Sequence, residues 1–182
     1  MSRGKLIFIT GGARSGKSNF AEKIAVKKSK EVAYIATSQP FDEEMKYRIK
    51  KHKDRRPTNW ETYEEPIKIK ELINNLGFKK EIILIDCLTL LTSNLLLREE
   101  DKIEDPQWQE DILLEIKKIA ESSYKVPAQV IIVSNEVGMG LVPDNPLGRV
   151  YRDILGKANS IIADKADEVF MMVSGISLKI KG

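Results

Sequence analysis

Gly11-Gly12-Ala13-Arg14-Ser15-Gly16-Lys17-Ser18 satisfies the phosphate-loop pattern G-x-x-x-x-G-K-[ST] in full. Its flanks give the pattern meaning. Leu6-Ile7-Phe8-Ile9-Thr10 before it is a short apolar, β-rich run. Residues 19–29 after it carry Phe20, Ile24 and Lys27 at i, i+4 and i+7, a helical spacing. A strand, a glycine loop and a helix in this order turn successive backbone N–H groups onto one anion, and the helix N-terminus adds its partial positive charge. Lys17 is expected to reach the β- and γ-phosphate oxygens of a nucleoside triphosphate, and the Ser18 hydroxyl to ligate Mg2+. A chance match in a Gly/Ser turn would not bring both flanks with it.

Composition bounds what the loop can serve. With 182 residues, 42% hydrophobic and 31% charged, the sequence suits one soluble domain with a full core, residues 1–182. A formal charge of +3 is small and implies no nucleic-acid partner, though a local basic patch can still hold phosphates. Cys87 is the single cysteine, so no intramolecular disulfide can form, and its apolar surroundings suit a buried, inert thiol. The sequence runs straight into the first strand without the h-region expected of a signal peptide, and no apolar run approaches roughly 18 residues. These features predict a cytoplasmic protein without a membrane span.

A second apolar run, Glu31-Val32-Ala33-Tyr34-Ile35-Ala36, ends in the polar turn Thr37-Ser38-Gln39-Pro40. In open α/β sheets ligands bind outside the carboxyl ends of strands, so Thr37 and Ser38 are candidates for the ligand surface; a simple turn is the alternative. A helix is then expected, capped by Asp42, with two glutamates in its first turn and Met45, Ile49 and His52 on one face. His52 is the only histidine. On an apolar stripe it can be purely structural. The surrounding Lys46, Lys50, Lys51, Lys53, Arg55 and Arg56 argue for more, because cations lower an imidazole pKa, keep the neutral nucleophilic form, and hold nucleotide phosphates beside it. A merely solvated helix face is the rival reading of those charges.

Residues 67–76 place Ile69, Leu72, Ile73 and Leu76 at helical spacing, with Gly77 as a natural C′ residue. Glu81-Ile82-Ile83-Leu84-Ile85-Asp86 reads as a buried parallel strand that delivers a carboxylate to the phosphate site, where an acid holds Mg2+ directly or through water. Residues 88–98 form a leucine-rich helix, and Glu99-Glu100-Asp101 a solvated loop. Asp105-Pro106 starts a helix to about Ser122 that buries Trp108, Ile112, Ile116 and Ile119. Gln129-Val130-Ile131-Ile132-Val133-Ser134 is the fourth apolar strand, and it delivers Asn135 and Glu136 to the ligand side. These two either serve the site or cap a turn. Gly138 and Gly140 suggest a mobile loop. Residues 147–166 read as an amphipathic helix with Val150, Ile154, Ala158, Ile161 and Ile162 inward, and Arg149 and Arg152 facing phosphates, neighbours or solvent. Residues 168–173, the turn Ser174-Gly175 and residues 176–180 suggest a hairpin at the sheet edge.

This alternation predicts an α/β sandwich of the P-loop NTPase type, with a mainly parallel central sheet and a possible antiparallel pair at its C-terminal edge. The phosphate loop, Thr37-Ser38, Asp86 and Asn135-Glu136 all fall at strand carboxyl ends and can converge.

Several stretches together resemble the bifunctional adenosylcobinamide kinase/adenosylcobinamide-phosphate guanylyltransferase family of cobalamin biosynthesis. They are Thr10 with the phosphate loop, Tyr34-Ile35-Ala36-Thr37-Ser38, His52-Lys53-Asp54-Arg55-Arg56-Pro57, Ser134-Asn135-Glu136-Val137-Gly138-Met139-Gly140 and Val173-Ser174-Gly175-Ile176. The histidine block and the Asn-Glu-Val-Gly-Met-Gly block are the most specific. The resemblance implies that His52 is the nucleophile and that Lys17 serves catalysis. It implies nucleotide contacts from the phosphate loop, Ala36, Thr37, Ser38, Lys53, Asp54, Arg55 and Arg56, and from the acids Glu64 and Asp86, with Ser18 and Asp86 at the metal. Arg55 stands where the family pattern has a glycine, and Asp86 where a glutamate also occurs. The implied substrates are ATP or GTP with adenosylcobinamide, then GTP with adenosylcobinamide phosphate, with Mg2+ as cofactor and a trimeric homo-oligomer as the assembly. Two other readings of the residues stay open. One is a small-molecule kinase without a covalent step. The other is a nucleotide-dependent switch in which residues 137–142 report to a partner.

Overall fold

The apolar runs of the sequence become the strands of one sheet. The computed structural model describes residues 3–40 and 43–182. Along the chain lie β1 (Leu6–Gly11), α1 (Lys17–Lys28), β2 (Val32–Ala36), α2 (Glu43–Arg55), β3 (Glu61–Glu64), α3 (Ile69–Leu76), β4 (Ile82–Asp86) and α4 (Leu88–Leu96). A 3-10 segment, Leu97–Lys102, then leads to α5 (Pro106–Lys125), β5 (Gln129–Val133), α6 (Pro146–Lys165), β6 (Glu168–Val173) and β7 (Ile176–Lys181). The sheet has seven strands in the order β3-β2-β4-β5-β1-β6-β7. All pair in parallel except β7, which runs antiparallel to β6. The expected architecture is therefore observed, including the antiparallel edge pair. Its turn closes tightly because Ser174 (φ 49°) and Gly175 (φ 86°) are both left-handed, the backbone of a type I′ hairpin.

Period-two alternation divides the core into two layers. Leu6 and Phe8 of β1, Ala33 and Ile35 of β2, Ile83 and Ile85 of β4 and Val130 and Ile132 of β5 face α3, α4, α5 and α6. Ile7, Ile9, Val32, Tyr34, Leu84, Ile131 and Val133 face the other way, onto Ala21 and Ala25 of α1 and onto Trp60. A parallel sheet covered on both faces needs continuous apolar strands, which β1, β2, β4 and β5 supply.

Four local readings change in the structure. The innermost stripe of α1 is Lys17, Ala21 and Ala25, with Phe20 and Ile24 only partly buried and Lys27 exposed; the alanines let the helix lie close to the sheet. β3 has no counterpart in the sequence reading. Its Glu-Thr-Tyr-Glu sequence is mostly exposed and lacks an apolar pattern, and its place comes from edge pairing with β2. Gly77 ends α3 in a right-handed conformation (φ −63°), so handedness is not its reason. A Cβ there would lie 2.5 Å from the Val126 side chain, so glycine allows the α3 terminus to meet the C-terminal end of α5. Glu99, expected in a loop, kinks the 3-10 segment instead. The expected cap Asp42 lies outside the described residues, as do the side chains of Met45, Ile49 and His52. Asp105 caps α5 as expected, accepting from Gln107 N at 2.9 Å, and Trp108, Ile112, Ile116 and Ile119 are buried.

Where β1 and β6 begin, Asp167 closes the sheet. Its carboxylate takes two bonds from the Arg3 guanidinium, at 2.8 and 2.6 Å, and one from Leu6 N at 2.8 Å. The Arg3 bonds hold its pKa down at about 2, against an ordinary 3.8. A carboxylate depressed in the folded state contributes stability above its unfolded pKa and loses that contribution as pH falls through the folded value. Asp167→Asn should therefore cost about 1 kcal/mol at pH 7. In urea titrations the gap to wild type should close as pH falls from 3.8 toward about 2; a gap constant over that range would refute the role.

Candidate active site

Register places the functional strand ends in a row. Glu64 pairs with Ala36, Ala36 with Asp86, and Asp86 with Val133, which pairs with Ile9. Each chain segment leaving this row passes over the same edge of the sheet. With neighbouring strands about 4.8 Å apart, the backbones of Glu64 and Asp86 are about 10 Å apart. Two clefts open along the row.

The first, of about 360 Å3, lies between the phosphate loop and the ends of β4 and β5, and is lined by residues 14–19, Asp86, Cys87, Val133 and Asn135. The loop backbone turns left-handed at Arg14 (φ 57°) and Gly16 (φ 95°), and Gly16 hands over to the first residue of α1. Lys17 is buried, and its Nζ donates to Gly12 O at 2.6 Å, back across the loop. Burial pushes the Lys17 pKa down, against opposing pulls from Cys87 and Asp86. Gly12, Ala13 and Arg14 are exposed at the loop tip. The hairpin supports the loop from outside the motif, since Gly175 N donates to Ser15 O at 3.0 Å.

Asp86 faces this loop from β4. Its Oδ2 accepts from the Tyr34 hydroxyl at 2.7 Å. Burial, then the neighbouring carboxylate, push the Tyr34 pKa well above its ordinary value, so the phenol stays a donor. The Cys87 thiol is likewise pushed up to about 11 by burial and by Asp86, which keeps it protonated and unreactive at neutral pH. Thr37 lies behind the cleft rather than on its surface. It is fully buried, and its hydroxyl donates to Cys87 O and accepts from Cys87 N, each at 2.8 Å. Thr37 thus fixes the segment that carries Asp86. Asn135 reaches the cleft because its main chain is held by Thr89 Oγ1 at 2.7 Å and by Asn159 Nδ2 at 3.0 Å. Glu136 instead accepts from Gly138 N at 2.6 Å, the turn-capping alternative. Arg149 donates to the carbonyls of Pro143 and Asp144, and Arg152 pairs with Asp153.

The second cleft, of about 370 Å3, lies between α2 and the ends of β2 and β3, with Ala36, Ser38, Lys53, Asp54 and Glu64 in its wall. Lys53 and Glu64 form an ion pair across it. Lys46 and Lys50 line it as well, two of the cations that the sequence reading set around His52 to hold phosphates. Their i, i+4, i+7 spacing with Lys53 is the readable signal, since such a spacing makes one helix face. Arg56, just beyond α2, stacks its guanidinium 3.4 Å from the centre of the Tyr34 ring. His52 belongs to α2, but its side chain and that of Arg55 lie outside the described residues.

The donors near Asp86 suit a hard cation. They are a carboxylate, the Ser18 hydroxyl, and the Ser15 hydroxyl, which is buried without a hydrogen-bond partner among the described residues. Oxygen-only donors with few protein carboxylates fit Mg2+ shared with nucleotide phosphates.

Solved structures share the fold, two of them as follows. A protein from Pyrococcus horikoshii OT3 aligns with a TM-score of 0.57 at 10% identity, over 100% of this chain and 88% of its own. The RadB recombinase aligns at 0.50 and 16% identity, over 93% of this chain and 74% of its own. Sequence relatives are nearer. The bifunctional adenosylcobalamin biosynthesis protein CobU is 41% identical in Escherichia coli K12 and 43% identical in Salmonella typhimurium, each over 97% of this chain and 99% of the relative. CobP of Pseudomonas aeruginosa, which carries the same description, is 40% identical over 96% of both chains. The model of the cobinamide kinase / cobinamide phosphate guanyltransferase family matches residues 7–180. With the motif blocks, the fold and near-full-length relatives in agreement, this chain belongs to the cobinamide kinase / cobinamide phosphate guanyltransferase family.

Proposed function

We propose that this chain carries out two successive reactions on one corrinoid, adenosylcobinamide. In the first, the hydroxyl of its aminopropanol arm attacks the γ-phosphorus of ATP or GTP. The bond to the β-phosphate oxygen breaks, the nucleoside diphosphate leaves, and the hydroxyl proton passes to solvent. In the second, a ring nitrogen of His52 attacks the α-phosphorus of GTP and pyrophosphate leaves. A phosphate oxygen of adenosylcobinamide phosphate then attacks the same phosphorus, the N–P bond breaks, and adenosyl-GDP-cobinamide forms with His52 restored. A covalent intermediate divides one difficult transfer into two easier ones.

The observation that carries this reading is the pair of cation-bearing clefts on one sheet edge, one beside Lys17 and Asp86 and the other beneath the lysines of the helix that bears His52. Phosphoryl transfer depends chiefly on positioning and charge neutralisation, which Lys17 and the loop amides offer in the first cleft. Lys46, Lys50 and Lys53 offer it in the second. Mg2+, when bound by Ser18, Asp86 and phosphate oxygens, neutralises charge on the transferred group. Gly11, Gly12, Ala13, Arg14, Ser15 and Gly16 are read as the phosphate cradle. Ala36, Ser38, Asp54, Arg55, Arg56 and Glu64 are read as nucleotide contacts, with Thr37 supporting them.

The same reading makes the protein one cytoplasmic domain that acts on small molecules rather than nucleic acid. No helix among the described residues is long and apolar enough to cross a membrane. It also makes the protein a homo-oligomer, with a trimer expected from the family resemblance. Edge strand β7 supports this: Ile176, Leu178 and Ile180 are 73%, 57% and 57% exposed, a surface that a second copy can cover.

Lys17→Ala should lower both nucleotide reactions by a factor on the order of 100 to 1000 in kcat, with an unchanged circular-dichroism spectrum. Normal phosphoryl transfer by the folded variant would remove Lys17 from the mechanism.

Incubation with α-labelled GTP and Mg2+ should leave label on the protein, whereas γ-label should depart with pyrophosphate. The bond should be acid-labile and alkali-stable, as a phosphoramidate is. Because His52 is the only histidine, His52→Asn should abolish labelling while phosphoryl transfer survives at least in part. Persistent α-label on His52→Asn, or none on wild type that binds GTP, would sink the covalent step and leave the plain kinase.

A further inference from the structure

Tyr34 carries a hydroxyl that an apolar strand would not need. Tyr34 lies on β2, is 2% exposed, and packs in the layer formed with α1. A phenylalanine would fill the same space without a polar atom to satisfy. The tyrosine hydroxyl instead donates to Asp86 Oδ2 at 2.7 Å, across the parallel pairing of β2 and β4. One carboxylate oxygen is thereby occupied and the plane of the carboxylate is set. Oδ1 is left to accept from the cleft.

The ring is itself fixed. Trp60 stacks on it with centroids 6.4 Å apart and planes 29° apart. The Arg56 guanidinium lies 3.4 Å from the ring centre. Arg56 Nη1 also donates to Thr62 Oγ1 at 3.4 Å, and its Nε is buried with no hydrogen-bond partner among the described residues. Below the carboxylate, Thr37 N donates to Asp86 O at 3.1 Å, and the Thr37 hydroxyl holds both main-chain polar groups of Cys87. Main chain and side chain of Asp86 are therefore held separately, the main chain by Thr37 and the carboxylate by Tyr34.

We infer that Tyr34 is a positioning residue for the Asp86 carboxylate, and that Arg56, by stacking on the Tyr34 ring, ties this carboxylate in the first cleft to the end of α2 beside the second. This rests on the proposed reading of Asp86 as a metal partner. A hydrogen bond from a neighbouring group that orients a metal-binding carboxylate is worth about 10- to 100-fold in metal affinity.

The test is Mn2+ binding, read by electron paramagnetic resonance, to full-length protein saturated with a non-hydrolysable triphosphate analogue. Tyr34→Phe removes one oxygen and keeps the ring; unchanged Trp60 emission and thermal midpoint establish that the fold is kept. Its Mn2+ affinity should fall about tenfold. The Mg2+ concentration for half-maximal phosphoryl transfer should rise in proportion, while the KM for the corrinoid stays as in wild type. Asp86→Asn should weaken Mn2+ at least as much, and the double variant should be no weaker than Asp86→Asn alone, because both act through one carboxylate. Weakening by Asp86→Asn with none by Tyr34→Phe would overturn the inference and leave the metal reading standing. Additive losses in the double variant would also overturn it, as the mark of a general structural effect. Mn2+ affinity unchanged by Asp86→Asn would remove the metal reading and the inference together.

Discussion

Burying the Lys17 ammonium costs hydration, and the site is organised around that cost. Lys17 has three N–H donors, and Gly12 O accepts from one of them in the described structure. Burial lowers its pKa, with Asp86 among the neighbours that pull it back up. A cation held this way is compensated best by a polyanion delivered to the same place. The loop amides, the α1 N-terminus and the cleft beside Asp86 make that place. The loop does not hold its shape alone. Its Ser15 carbonyl is bonded by the hairpin at Gly175, so the far edge of the sheet supports the phosphate cradle.

Strand register extends this constraint sideways. Because β3, β2, β4 and β5 are in parallel register, their terminal residues emerge on one line, and chemistry at one strand end lies about 5 Å per strand from the next. Asp86 and Glu64 are separated by β2 alone. A single acceptor can be passed between two clefts so placed, which suits a protein proposed to modify one hydroxyl arm twice. Tyr34 links the two sides, its hydroxyl on the carboxylate of the first cleft and its ring beneath Arg56, just beyond the α2 helix that walls the second.

Much of this was legible because it rests on local chemistry. Gly16 is read from the sequence as part of a loop that turns its backbone N–H groups onto one anion, and Lys17 as the cation that follows it. The apolar runs of β1, β2, β4 and β5 declare themselves because both their faces are buried, and Asp105-Pro106 announces α5 because a cap and an N1 proline act within one turn. The alternation of these signals is enough for an α/β sandwich with a parallel sheet, and the motif blocks are enough for the family.

What stayed hidden depends on partners distant in sequence. β3 is invisible because Glu-Thr-Tyr-Glu is a strand only by pairing with β2, and an exposed edge imposes no apolar period. Gly77 looks like a helix stop, but its reason is Val126, 49 positions away in sequence and in contact in space. Thr37 reads as ligand surface because it ends a strand, yet the Asp86–Cys87 segment of the neighbouring strand takes up its hydroxyl. The phenol of Tyr34 looks like core filling until β4 brings Asp86 beside it. The sequence by itself determined the elements, the phosphate loop and the family, since those follow from propensity, spacing and motif within a few residues. Tertiary structure alone decided which polar groups are free for a ligand and which hold one another, since that depends on the register between strands that are not neighbours in the chain.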